Sequence, residues 1–61
     1  MIYKFKDVEL ESTLELEKIN GNIVEISIKF DYDDDVWRNI LLNKEDVFKL
    51  IGALHLIQKE L

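Results

Sequence analysis

The sequence has no cysteine and no proline, a single histidine (His55), and two glycines in 61 residues. Without cysteine there are no disulfides and no thiolate metal sites. One histidine cannot build a zinc centre unless several carboxylates converge beside it. With no proline, no low-complexity tract and no internal repeat, nothing reads as a linker, so residues 1–61 are expected to form a single domain. No stretch approaches the roughly 20 apolar residues that a membrane span needs. Met1-Ile2-Tyr3-Lys4-Phe5-Lys6-Asp7 lacks the apolar segment of a signal peptide. The expectation is therefore a cytoplasmic protein with no membrane partner. Catalytic motifs are missing too. There is no glycine-rich phosphate loop, and neither serine, Ser12 or Ser27, has a histidine placed beside it as a base. A non-enzymatic protein without catalytic, metal or cofactor residues is expected.

What is present is a generous apolar fraction, 48%, and an excess of acid, net −5. A domain this small buries only about 60% of the surface that its unfolded chain exposes. With the usual staples absent, good packing or self-association has to supply the stability. The charge is uneven. Residues 1–35 carry ten acids and four bases, whereas residues 36–61 carry three acids and four bases. That is the reverse of the basic footprint of direct nucleic-acid binding.

From Val8 to Lys18 the chain alternates strictly. Val8, Leu10, Ser12, Leu14 and Leu16 fall on one side, and Glu9, Glu11, Thr13, Glu15 and Glu17 on the other. Ile23 to Tyr32 repeats the pattern, with Val24, Ile26, Ile28, Phe30 and Tyr32 on the apolar side. Period two with one dry face predicts two half-buried strands. A two-residue Asn20-Gly21 loop would place opposite-facing residues together, which the pattern forbids. A three-residue loop, Ile19 to Gly21, with Gly21 left-handed in a bulge, keeps the faces matched and pairs Leu16 with Val24 and Leu14 with Ile26.

Asp33-Asp34-Asp35 reads as the next turn. Val36 to Leu42 reads as a third strand, with Val36, Arg38, Ile40 and Leu42 inward and Trp37, Asn39 and Leu41 outward. Asn43 is a good helix N-cap, with Asp46 three residues on. A helix is predicted from Lys44 to about Glu60, carrying Val47, Leu50, Ile51, Leu54, Ile57 and Leu61 on one stripe. His55 is expected to be half-buried on its flank. Ser12 reads as a small residue leaving room for Phe48 of a crossing helix. Tyr3 and Phe5 have the opposite parity to Val8, which predicts a bulge or turn near Lys6-Asp7. Residues 1–7 would then pair either within the chain or with a second subunit.

Asp31-Tyr32-Asp33-Asp34-Asp35 has the alternating spacing of calcium loops. The turn glycine of such loops would fall at Val36 and the bidentate glutamate at Leu42, so an acidic hairpin turn is the better reading. In the predicted register Glu15 faces Glu25 and Glu9 faces Asp31, and only Glu11 with Lys29 is favourable. Ile40-Leu41-Leu42-Asn43-Lys44-Glu45-Asp46-Val47, strand then cap then helix, resembles the end of single-stranded DNA-binding domains of the positive-cofactor-four type. That resemblance implies a sheet closed by one helix, and a dimer. The basic face of those domains is replaced by acids here.

The expected fold is α+β: a three- to four-stranded antiparallel β-meander with one C-terminal helix packed on one face (βββα), open to dimerisation. The expected role is a small acidic inhibitor or accessory protein of phage or mobile-element type, with nucleic-acid mimicry or an anti-defence role as its use. It would dock Glu9, Glu11, Glu15, Glu17, Glu25 and Asp31 onto a basic, nucleic-acid-processing protein, with Trp37 and Leu41 as apolar anchors. The alternative is a structural homodimer joined through the N-terminal overhang or through Gly52 and Leu56. Direct nucleic-acid binding ranks third.

Overall fold

The structure is a computed structural model that describes residues 1–32 and 36–61, with the backbone alone for Val36 and Trp37. Among the described residues the chain forms four strands and one helix: β1 (Ile2–Lys6), β2 (Ser12–Asn20), β3 (Ile23–Phe30), β4 (Val36–Asn43) and α1 (Lys44–Gln58). The strands make one antiparallel sheet in the order β1-β2-β3-β4. This is the expected α+β meander with its C-terminal helix. Residues 1–7 supply the fourth strand from within the chain.

The strand predicted from Val8 does not begin until Ser12, because Asp7 folds the intervening residues into a turn. The Asp7 carboxylate accepts from the Glu9 and Leu10 amides at 2.8 and 3.0 Å and from the Ser12 hydroxyl at 3.0 Å. The Asp7 amide donates to the Ser12 carbonyl at 3.0 Å, closing the β1–β2 connection. An Asp that satisfies local amides competes with strand pairing. The alternation of Val8 and Leu10 is therefore accidental, and both side chains are exposed.

The β2–β3 turn also differs from expectation. Asn20 pairs with Ile23 across Gly21-Asn22, and a register shift between Lys18 and Asn20 leaves Ile19 as the extra residue. The Asn20 side chain holds this turn by accepting from the Asn22 amide at 2.9 Å. Among the described residues none has a positive φ, so Gly21 is not left-handed. The bulge restores parity, and Leu16 pairs with Ile26 and Leu14 with Ile28, two residues from the predicted register. Each side chain keeps its predicted face, because a shift of two leaves the pleat unchanged. β3 ends at Phe30, and Tyr32 lies beyond it, stacked on Phe30 with ring centroids 5.3 Å apart. The three-aspartate turn, with the calcium-loop spacing it completes, lies outside the described residues.

Antiparallel pairing aligns the side chains in cross-strand rows. One face carries the rows Tyr3–Leu16–Ile26–Ile40 and Phe5–Leu14–Ile28–Arg38, with Val24 opposite Leu42 at one end. The other face carries Ile2–Glu17–Glu25–Leu41 and Lys4–Glu15–Ser27–Asn39, then Lys6–Thr13–Lys29.

Asn43 caps α1 as predicted, its side chain accepting from the Asp46 amide at 2.8 Å. The helix touches β4 and β3 only, and within it Val47 and Leu50 alone are half-buried. Packing is thus confined to the first two turns. Beyond them Phe48, Ile51, Leu54 and Ile57 stand exposed. His55 is exposed rather than half-buried. Phe48 does not pack against Ser12, which is buried through its bond to Asp7. No apolar side chain is fully buried among the described residues.

Candidate functional site

The predicted acidic surface divides in two once β1 is in place. Lys4 and Lys6 alternate with Tyr3 and Phe5 along β1, so pairing with β2 sets both lysines on the glutamate face. Lys4 lies directly opposite Glu15. On the far side, Lys29 Nζ reaches Glu15 Oε1 at 3.4 Å. Glu15 is among the most buried residues, only 9% exposed. Lys6 forms an ion pair with Asp31, whose other carboxylate oxygen accepts from the Thr13 hydroxyl at 2.8 Å. The bonds from Lys6 and then Thr13 hold the Asp31 carboxyl below the usual carboxylate range. Neither Glu15 nor Asp31 is a free negative group for a partner.

Glu17 and Glu25 have no such neighbour. They face each other across β2 and β3, and no ion pair reaches either among the described residues. The Asn39 amide donates to Glu25 Oε2 at 3.2 Å, which orients the carboxylate without neutralising it. Ile2 stands outside Glu17 and Leu41 outside Glu25 in the same row, 44% and 61% exposed. The result is a row of apolar, acidic, acidic and apolar side chains, spanning four strands of the sheet.

The remaining predicted residues lie elsewhere. Glu9 and Glu11 belong to the turn after Asp7, off the sheet face, and the Glu11 carbonyl accepts from the Asp31 amide at 2.9 Å. The predicted pairs Glu15–Glu25, Glu9–Asp31 and Glu11–Lys29 do not form. Glu15 pairs with Ser27, Glu17 with Glu25, and Thr13 with Lys29. The Trp37 side chain lies outside the described residues, although the register shift between Ile28 and Lys29 places its backbone at a bulge in the β3–β4 ladder. The residues missed by sequence reasoning are Ile2, Lys4 and Lys6. Their signal was the short alternation from Ile2 to Lys6, which fixes its face only once a partner strand is assigned.

Among the described residues no three His, Asp or Glu side chains gather as metal ligands do. No helix among them is long and apolar enough to cross a membrane. No family model, no curated protein and no solved structure matches the chain.

Proposed function

We propose that this chain is a non-enzymatic protein-binding module that presents the row Ile2–Glu17–Glu25–Leu41 to a basic site on a partner protein. The observation that carries the reading is the unrelieved Glu17–Glu25 pair. Like charges directly opposite across strands destabilise a sheet by up to about 1 kcal/mol. Elsewhere on the same face Lys6 and Lys29 form ion pairs with Asp31 and Glu15, so the chain has the means to compensate charge and does not use it at this row. Flanking Ile2 and Leu41 add exposed apolar area, and acid beside apolar surface suits a partner with a basic patch on an apolar ground. An acidic module on a basic nucleic-acid-processing site would exclude nucleic acid from it, which makes inhibition the natural use.

The test compares tagged wild type with the Glu17→Lys/Glu25→Lys variant in pull-downs from lysate of the source cells. The reading expects a basic protein retained by wild type, released by moderate salt, and lost with the variant. Equal retention by both forms would overturn it. So would capture of nucleic acid in place of protein.

A further inference from the structure

The shape of the chain poses a problem that its own residues do not solve. A compact chain of 7.3 kDa exposes about 4,200 Å², whereas this one exposes 5491 Å². Its radius of gyration is 12.7 Å, against about 10.5 Å for a compact chain of this length. Part of the surplus surface, about 1,300 Å² by the same scaling, lies on the apolar sheet face and the helix. Leu14 and Ile40 on the apolar sheet face are 37% and 50% exposed, and Phe48 and Leu54 on the helix are 78% and 56% exposed. A lone chain with no fully buried apolar side chain among its described residues has little of the main driving force for folding.

We infer that the apolar sheet face and the outer turns of α1 form an interface with a second copy of this chain, and that the dimer is the folded unit. Area favours this occupant. Two surpluses of about 1,300 Å² could bury up to about 2,600 Å² in total, which reaches the range of obligate homodimers. A two-fold interface brings the same patch from each copy together, so an apolar face meets an apolar face without needing a complementary partner. The chain contains no disulfide or thiolate metal site to stabilise it alone. A partner needed for folding has to be present whenever the chain is made, and another copy always is. The inference does not rest on the acidic row, which lies on the opposite face of the sheet and stays open in the dimer.

Sedimentation equilibrium of the purified chain tests it, together with urea unfolding at several protein concentrations. The expected mass is twice 7.3 kDa, and the urea midpoint should rise with protein concentration, because association favours the folded dimer. A 7.3 kDa species at every concentration, with a fixed midpoint, would overturn the inference, whether the helix folds back onto its own sheet or a different protein covers it. Two variants locate the interface. Ile57→Glu, on the exposed helix, should weaken association by about tenfold or more. Val8→Glu, the same chemical change in the turn after Asp7, should leave it intact. If Ile57→Glu does not assemble or fold at all, the wild-type mass and midpoint series still decides. The reverse pattern, with Val8→Glu disruptive and Ile57→Glu silent, would overturn the assignment. Purified protein suffices throughout, so failure here is distinct from failure of the pull-down.

Discussion

On the polar face of the sheet Ser27 is 5% exposed, while Leu14, one residue from buried Glu15 on the apolar face, is 37% exposed. The two faces share the same backbone and differ in how they can be covered. The polar face covers its centre, around Glu15 and Ser27. Lys29 closes onto Glu15 and Asn39 reaches diagonally to Glu25, and short Ser27 lies between Glu15 and Asn39 in its row. Aliphatic side chains stand up from a sheet and need a second layer laid against them. In this chain α1 begins that layer with Val47 and Leu50 and then leaves it. Sidedness is thus a property of a strand, whereas burial is a property of an assembly.

The contrast can be broken most forcefully at Ile28, in the row Phe5–Leu14–Ile28–Arg38. Ile28→Asp should cost about 3 kcal/mol or more, the effect of a charge forced into an apolar interface. Urea unfolding unchanged by this substitution would mean that the apolar face is bare in solution as well. Leu54→Ala comes next. Covered by a second copy, Leu54 should contribute about 2–4 kcal/mol. At a position that stays exposed the loss should be no more than about 0.5 kcal/mol, so the measured value reads coverage directly.

Asn43→Ala should cost about 1 kcal/mol by leaving the Asp46 amide uncapped. It would show whether α1 depends on its cap because so little of it is packed. An unchanged melting temperature would answer no.

The smallest expected effect is a pH dependence. Backbone bonds from Glu9 and Leu10, with the Ser12 hydroxyl, hold the Asp7 carboxyl below its ordinary value of 3.8, as Lys6 and Thr13 do for Asp31. A carboxyl lowered in the folded state contributes stability that is complete above its unfolded value and is lost as pH falls through the lower folded one. Melting temperature should therefore decline as pH drops below about 4, and Asp7→Ala should lower it at neutral pH and flatten part of that decline. A profile identical in wild type and variant would remove Asp7 as the clasp of the β1–β2 turn.

Much of the fold is legible in the residues. Period two assigned each side chain of β2 and β3 to its correct face, and Asn43 with Asp46 located the start of α1 to the residue. The register did not follow. A bulge at Ile19 and a shift of two residues satisfy the same alternation, so hydrophobic pattern alone cannot separate them. The acidic surface was legible as a count of charges but not as a site. Whether Glu15 is compensated depends on Lys29, which lies far along the chain on β3 and is brought within reach of it only by strand pairing.

The sequence by itself determined which residues share a face, where the helix begins, and that no cysteine staple was available, because these follow from local periodicity, capping and composition. Only the tertiary structure decided which acids remain uncompensated and that the chain's own helix leaves most of the apolar faces uncovered. Both depend on which strands lie side by side and where the helix axis points, and no local pattern encodes either.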